Sequence, residues 1–360
     1  MQSLWLSVTF AATLLASVAL RFWLATRQMR HVAANRAAVP AAFARTVSLE
    51  AHQKAADYTL VRSRFGLLTL AFGTAVLLGW TLLGGLDALS GLVRNAVQPR
   101  WGNMAYQLAL LSAFVLIGGL LDAPFELYNT FRIEQAFGFN RTTLRLVLID
   151  AAKGLLVGAL IGLPMAALVL WLMASAGAWW WLWAWIAWVA FQLLILVLYP
   201  TVIAPLFNKF EPLADESLKQ RVQSLMARCG FAAKGLFVMD GSRRSAHSNA
   251  YFTGLGAAKR VVFFDTLLKR LSPGEVEAVL AHELGHFKLR HVPKRMLTIF
   301  TMSLAALGLL GWLTQQQWFY TGLGVTPNLV APNDALALLL FMLALPPFGF
   351  LLVPLACTQA

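Results

Sequence analysis

Charged residues are scarce in this chain. Asp, Glu, Lys and Arg make up 12% of the 360 residues, against 59% hydrophobic residues. Soluble domains carry about 25% charged residues, so this composition excludes an ordinary soluble protein. Acidic residues are the scarcest, 16 against 29 lysines and arginines, which gives a net charge of +13. In a membrane protein such an excess reflects cytoplasmic loops rather than nucleic-acid binding, so we expect no nucleic-acid partner.

Cysteine is also rare. Cys229 and Cys357 are too few for a disulfide framework, and we expect both to be unpaired. The apolar N-terminal stretch, residues 4–20, lacks a basic segment and a small-residue cleavage site. These are the marks of a removed signal peptide, so their absence predicts a retained membrane span.

Long apolar stretches dominate the chain instead. A helix of about 20 mostly apolar residues spans the hydrocarbon core of a bilayer. Seven stretches come close to this length, and the third is the shortest because it runs into Asp122. They predict an all-α polytopic membrane protein with about seven transmembrane helices. The stretches cover residues 4–25, 67–86, 105–121, 155–175, 178–199, 296–314 and 335–355.

The loops differ in their content of lysine and arginine, and this difference predicts the orientation. Basic residues are concentrated in the loops after the first and third spans and in the segment 200–295, whereas residues 315–334 contain none. Because basic loops stay in the cytoplasm, we expect the N-terminus outside and loops 1, 3 and 5 inside. We expect the cell (inner) membrane as the location if the source is bacterial.

One stretch carries recognisable chemistry. His282-Glu283-Leu284-Gly285-His286 matches the pattern H-E-x-x-H. Helical residues four positions apart lie on one face, so the two imidazoles can bind one Zn²⁺ with the glutamate beside it. The pattern predicts His282 and His286 as metal ligands and Glu283 as the catalytic general base.

The residues before the motif favour a helix. Ser272 suits the N-cap, Pro273 suits the first helical position, and Glu275 completes a capping box. No proline interrupts residues 276–289, and Pro293 ends the run. The motif therefore lies in the helical context that its chemistry needs.

Residues 200–295 form the one part of the sequence that resembles a soluble domain. Apolar spacing predicts an amphipathic helix over 211–230 and strands over 235–240, 248–254 and 260–265. These elements favour a small α+β zinc metallopeptidase domain whose sheet packs against the zinc helix. The predicted organisation is spans 1–5 in 1–199, a cytoplasmic peptidase domain in 200–295, and spans 6–7 in 296–360.

The motif leaves one metal ligand to be found, because a catalytic zinc takes three protein ligands and keeps a position open for water. Downstream of Glu283 the remaining acid is Asp334, which the charge pattern places on the outer side, and the remaining histidine is His291. An unbroken helix would turn His291 about 140° away from the metal. We therefore expect His291 to be a surface histidine, or one that contacts a metal ligand rather than the metal. The upstream acids Asp240 and Glu277 stay open, and the third ligand is not identified within residues 1–360.

The predicted strand 248–254 has two interpretations. A strand beside a zinc helix can pair with an extended peptide and hold it over the metal, with the Asn249 amide helping to fix the peptide. Alternatively it is an ordinary sheet strand with a turn-forming asparagine. The residues alone do not decide between the two.

Five stretches together match one family pattern. They are residues 131–140 (FRIEQAFGFN), 203–213 (IAPLFNKFEPL), 247–254 (HSNAYFTG), 259–268 (KRVVFFDTLL) and 282–291 (HELGHFKLRH). With them, the chain resembles the type I CAAX prenyl proteases, multi-span zinc endopeptidases that cleave prenylated precursors, and their bacterial relatives.

This resemblance implies a seven-helix barrel around a water-filled chamber, with Zn²⁺ at its cytoplasmic end. The two histidines and the glutamate of the motif would take the roles given above, and Asn249, Ala250 and Tyr251 would hold the substrate backbone. The implied substrates are peptides or membrane proteins, including prenylated CAAX-type ones, and the implied partner is the bilayer.

The sequence departs from the family pattern after the last predicted span. Family members supply a third zinc ligand there, a glutamate in a stretch like Ser-Arg-x-x-Glu, which residues 1–360 do not contain. A truncated or frameshifted gene, an incomplete sequence and a protein without this ligand are all open explanations. For the chain as given, the expectation is weak zinc affinity and little peptidase activity.

Two other functions stay open on the sequence. One is a truncated, catalytically impaired pseudoenzyme that binds peptides, which the missing glutamate favours. The other is a seven-span transporter or channel. Transport sites need polar residues inside the membrane, and these spans contain few charges, which argues against the second.

Overall fold

Long helices make up most of the chain. The computed structural model describes residues 1–231, 235–253, 260–329 and 331–349. Its helices are α1 (Gln2–Ala34), α2 (Leu49–Trp80), α3 (Gly85–Tyr128), α4 (Leu144–Ser175), α5 (Trp180–Leu198), α6 (Ala204–Phe207), α7 (Glu216–Arg228), α8 (Asp265–Arg270), α9 (Pro273–Lys288), α10 (His291–Leu313), α11 (Gln317–Gly322) and α12 (Asp334–Ala344). Its strands are β1 (Phe210–Pro212), β2 (Gly235–Met239), β3 (Ala250–Thr253) and β4 (Arg260–Phe264).

Six of these helices are long and apolar enough to cross a membrane, namely α1 to α5 and α10. They confirm a polytopic helical membrane protein, and many of their large apolar side chains are exposed, as lipid-facing residues are. The seventh predicted span, 335–355, begins in the shorter apolar helix α12 and a following 3₁₀ turn, Pro346–Phe348. Its last part, 350–355, lies outside the described residues.

The third predicted span is longer than the sequence suggested. α3 does not stop at Asp122 but runs through Pro124 to Tyr128 and continues as a π-helix over Asn129–Glu134. Acidic residues end an apolar stretch without ending a helix, and a single proline is tolerated in a membrane helix. A bend lies earlier in α3, at Gly102, whose φ is 78°.

Contacts within the chain define two compact units. The first comprises Met1–Phe137, Leu170–Trp180 and the described residues from Gly308 onward. In it, α1 packs against α2 and α11, and α3 packs against α12. The buried Gln107 side chain of α3 accepts a 2.9 Å hydrogen bond from the backbone N–H of Ala335, in the first turn of α12. This bond satisfies one of the helix N–H groups that have no partner inside the helix.

The second unit, Gly138–Val169 with Trp181–Leu307, contains a four-stranded sheet of order β1-β2-β4-β3. β2 and β4 pair in parallel, and β1 and β3 run antiparallel to their neighbours. The three predicted strands are thus present. The helix predicted over 211–230 is shorter, because β1 takes its first residues and Asp215 caps α7 by accepting from Leu218 N at 3.0 Å.

An apolar core joins this sheet to two helices. α7 contributes Val222, α9 contributes Leu280 and Leu284, and β4 contributes Val261 and Phe263, all fully buried. α9 follows β4 and α8 in the chain and packs against β3 of the sheet and against α7. The helix that carries the motif is therefore fixed by the core of this unit.

Candidate functional site

The helix with the metal motif begins as the sequence predicts. α9 starts at Pro273, with Ser272 as N-cap and a complete capping box. The Glu275 carboxylate accepts hydrogen bonds from the Ser272 backbone N–H at 2.8 Å and from its hydroxyl at 2.7 Å. These bonds lower the pKa of Glu275 from its ordinary value, because they stabilise the ionised form.

One face of α9 is buried and the other carries the motif. Val276, Leu280 and Leu284 recur every four residues and are almost fully buried against the sheet. At about 100° per residue, the position of His282 lies roughly opposite that of Leu280. His282 and His286 are accordingly exposed and Glu283 is half-buried. The core thus holds the helix while the histidines face outward.

The two motif histidines lie together as the i, i+4 spacing predicts. Their ring centroids are 4.9 Å apart and the rings are nearly perpendicular, at 87°. Imidazole nitrogens are common ligands of Zn²⁺ in proteins. Two imidazoles on one helix face therefore fit two of the protein ligands of a zinc site. Within the described ranges, no group of three or more His, Cys, Asp or Glu residues is arranged to hold a metal ion.

The two upstream acids left open above are engaged elsewhere. Asp240 accepts a 2.8 Å hydrogen bond from the backbone N–H of Lys209. Glu277 forms ion pairs at 3.3 Å with Arg221 and Arg228 of α7. Neither acid joins the histidines, so the third ligand stays unassigned among the residues that the structure describes.

His291 lies closer to the motif than an unbroken helix would place it, in contact with His286. Its Nδ1 lies 2.8 Å from Nδ1 of His286, with ring centroids 5.0 Å apart. The expectation assumed an unbroken helix, but α9 ends at Lys288 and Arg290 adopts a left-handed conformation with φ of 56°. This turn brings His291 back toward the motif. Pro293 was the available signal, because proline suits the first turn of a new helix, here α10.

The strand expected to bind substrate lies at an edge of the sheet. In the described sheet β3 pairs with β4 alone, so its other edge is free to pair. Asn249 uses its side-chain oxygen to accept from Ala250 N at 2.8 Å, and its backbone oxygen accepts from Phe264 N at 3.0 Å. The Ala250 side chain is buried in the core, so this residue presents only backbone.

Tyr251, the third residue of this stretch, packs against the sheet. Its ring meets Phe264 edge-on at 6.2 Å, and its hydroxyl donates to the Met239 sulfur at 3.9 Å. Burial, followed by repulsion from Tyr199, raises the pKa of the Tyr251 hydroxyl. The group therefore stays protonated at neutral pH and remains a hydrogen-bond donor.

The segment that leads into β3 is anchored to residues 139–141. Ala246 N donates to Phe139 O at 2.9 Å, and Arg141 N donates to Arg244 O at 3.1 Å. The His247 ring stacks on Phe139 with centroids 4.4 Å apart. These contacts fix the backbone next to Asn249 before any substrate is bound.

Two family descriptions match the chain. Residues 28–209 match "CAAX prenyl protease N-terminal, five membrane helices", and residues 212–354 match "Peptidase family M48". The chain is 36% identical over 268 residues to a CAAX prenyl protease 1 homolog of Oryza sativa subsp. japonica. The matched region covers 73% of the chain and 63% of that relative. The chain thus spans somewhat less than two thirds of the rice protein.

Two further similarities extend over more of the chain. It is 33% identical over 324 residues to a probable CAAX prenyl protease 1 of Schizosaccharomyces pombe, covering 87% of the chain and 68% of that protein. The crystal structure of S. mikatae Ste24p is similar with a TM-score of 0.86 and 29% identity, covering 98% of this chain and 83% of the other. These findings confirm the resemblance seen in the sequence and do not favour the non-catalytic or transporter interpretations.

Proposed function

The chain belongs to the CAAX prenyl proteases of peptidase family M48, and from this membership we propose that it is a membrane-embedded zinc endopeptidase. The observation that carries the proposal is the arrangement on α9. His282 and His286 lie side by side on its exposed face, with Glu283 between them in sequence. The capping box and the buried leucines hold this helix in place.

The roles of the motif residues follow from their chemistry. His282 and His286 would hold Zn²⁺, which when bound lowers the pKa of a water molecule and polarises the scissile carbonyl. The Glu283 carboxylate accepts a proton from the attacking water and then donates it to the nitrogen of the leaving amine. A half-buried carboxylate suits this work, because it is reached by water yet fixed by its helix.

The substrate lies along β3 in this proposal. An extended peptide adds to the free edge of the strand through backbone hydrogen bonds, so that the scissile bond is presented across the face of α9. α9 packs against β3, which supports this placement. Asn249, Ala250 and Tyr251 contribute backbone groups, and the Asn249 side chain is exposed beside them.

The proposed substrates are proteins or peptides that end in a prenylated CAAX sequence, as the names of the relatives indicate for those proteins. The lysine and arginine distribution supports an orientation with α9 at the cytoplasmic face and the N-terminus outside. Unprenylated membrane proteins are the alternative substrate class.

A purified sample in detergent tests the proposal with a farnesylated CAAX peptide and its unprenylated counterpart. Cleavage of the farnesylated peptide should depend on zinc, so that a chelator removes it and added Zn²⁺ restores it. Glu283→Gln should lower kcat by at least about 100-fold, the scale of general acid–base catalysis. Glu277→Gln is the matched control, because it makes the same change on the same helix at a surface ion pair.

Three results would count against the proposal. Cleavage that Glu283→Gln leaves unchanged would remove the assigned base. Equal losses in Glu283→Gln and Glu277→Gln would show a general effect on α9. Equal cleavage of both peptides would keep the peptidase and reject prenylation as the basis of recognition.

A further inference from the structure

The contact between His286 and His291 has a definite structural cause. At the end of α9, Leu289 N bonds to Gly285 O at 3.0 Å and Arg290 N bonds to Phe287 O at 2.9 Å. Arg290 then turns left-handed, with φ of 56°, and α10 begins at His291. This single turn places Nδ1 of His291 2.8 Å from Nδ1 of His286.

The 2.8 Å distance between Nδ1 of His286 and Nδ1 of His291 requires one proton between these two nitrogens. One imidazole donates from an N–H, and the other accepts with a lone pair. Among the described residues, the ring of His286 has one hydrogen-bond partner, the ring of His291. The partner of His286 is thus an imidazole rather than the carboxylate or backbone carbonyl that usually supports a ligating histidine.

We propose that His291 is a positioning residue for the zinc site: its Nδ1 accepts the Nδ1 proton of His286 and so keeps Nε2 of His286 free to bind the metal. The inference rests on the proposed function, because it assigns His286 as a ligand. The hydrogen bond fixes the tautomer and the ring plane of His286. The same ring meets His282 nearly perpendicularly, so that the orientation of one ligand constrains the other.

The geometry favours this role over direct metal binding by His291. Nδ1 of His286 points at His291, so in this arrangement the nitrogen available to a metal on His286 is Nε2, on the far side of the ring. Within the described ranges, no third His, Cys, Asp or Glu lies with the two motif histidines in a group that could hold a metal ion. In this arrangement His291 therefore contacts a proposed ligand, His286, and does not itself bind the metal.

The zinc affinity of the purified chain tests the inference without relying on catalysis. It is measured by competition with a chromogenic chelator for the unchanged chain, His291→Ala and His291→Asn. The Asn side-chain oxygen is as many bonds from Cβ as Nδ1 of histidine, so it can accept the same hydrogen bond, whereas an amide is a poor zinc ligand. We expect His291→Ala to bind zinc about 10- to 100-fold more weakly, as losses of such supporting groups do, and His291→Asn to recover most of the affinity.

Two further variants separate the hydrogen bond from general effects. His31→Ala removes an exposed imidazole in the last turn of α1 and should leave zinc affinity unchanged. Arg290→Val keeps both imidazoles but opposes the left-handed turn, because a β-branched residue strongly disfavours positive φ. It should weaken zinc binding as His291→Ala does, while thermal unfolding without metal reports whether either variant is simply misfolded.

The outcomes are distinct. Wild-type zinc affinity in His291→Ala would overturn the inference, and so would an affinity in His291→Asn as weak as in His291→Ala. X-ray absorption of the zinc-loaded protein should count the same number of imidazole ligands with and without His291, and the loss of one would make His291 a ligand. If these results hold but no peptide is cleaved, the positioning role stands and the proposed peptidase function fails alone.

Discussion

Arg244 donates two parallel hydrogen bonds to the Asp150 carboxylate, from Nε at 2.9 Å and from Nη2 at 3.1 Å. The same guanidinium donates to the Asn208 side-chain oxygen and to the backbone oxygen of Phe207, each at 2.7 Å. Asp150 belongs to α4, and residues 207–208 lie at the end of α6. One side chain thus ties the segment before β3 to two helices.

Arg244→Ala should lower the free energy of unfolding by about 1–3 kcal/mol, because it removes charge-assisted hydrogen bonds at a partly buried carboxylate. Chemical denaturation in detergent micelles measures the change. Arg243→Ala, which truncates the exposed neighbouring arginine, should stay within about 0.5 kcal/mol. A double-mutant cycle with Asp150→Ala should show strong coupling, and additive effects would contradict the pairing.

The Glu275 capping box should make the stability of α9 depend on pH. The folded-state pKa of Glu275 lies below its ordinary value of 4.5, so its contribution is fully present above that value and is lost as the pH falls through the lower folded pKa. Thermal unfolding of the unchanged chain and of Glu275→Gln, followed from pH 7 down to about 3, measures how the contribution of Glu275 to stability changes with pH. The advantage of the unchanged chain should shrink only in the acid range, and a constant difference would be inconsistent with the ionised cap.

Leu284 should matter for stability although it lies inside the metal motif. It is completely buried, so Leu284→Ala should cost about 2–5 kcal/mol by leaving a cavity in the core beneath α9. Leu289→Ala is the matched control, because Leu289 is 58% exposed just after the same helix. Equal denaturation midpoints for the two variants would show that α9 does not pack as described.

The predicted orientation is open to direct labelling. The starting chain has Cys229 and Cys357 replaced by alanine, and Arg45→Cys and Leu329→Cys are then introduced one at a time. The side chains of Arg45 and Leu329 are both exposed, and the two residues lie in different loops. The positive-inside rule predicts that a membrane-impermeant thiol reagent added outside intact cells labels the cysteine at 329 and spares that at 45. The reverse pattern would invert the proposed topology, and permeabilised cells should label both.

Local patterns of the sequence determined much of this protein. Hydropathy predicts the membrane helices because burial in lipid depends on composition within one segment. The site helix could be predicted for the same reason, since Ser272, Glu275 and the spacing of His282 and His286 act within a few residues of one another. The five stretches that resemble one family likewise predicted the family that the comparisons confirm.

Only the tertiary structure decided what depends on distant partners or on single backbone angles. Three features depend on contacts between residues far apart in the chain. They are the strand order β1-β2-β4-β3, the pairing of Arg244 with Asp150 across 94 residues, and the division of Glu211–Gly230 into β1 and α7. The position of His291 was decided by the left-handed φ of Arg290. Helical periodicity cannot anticipate such a turn, because a non-glycine residue adopts it only when the surrounding structure compensates for its cost.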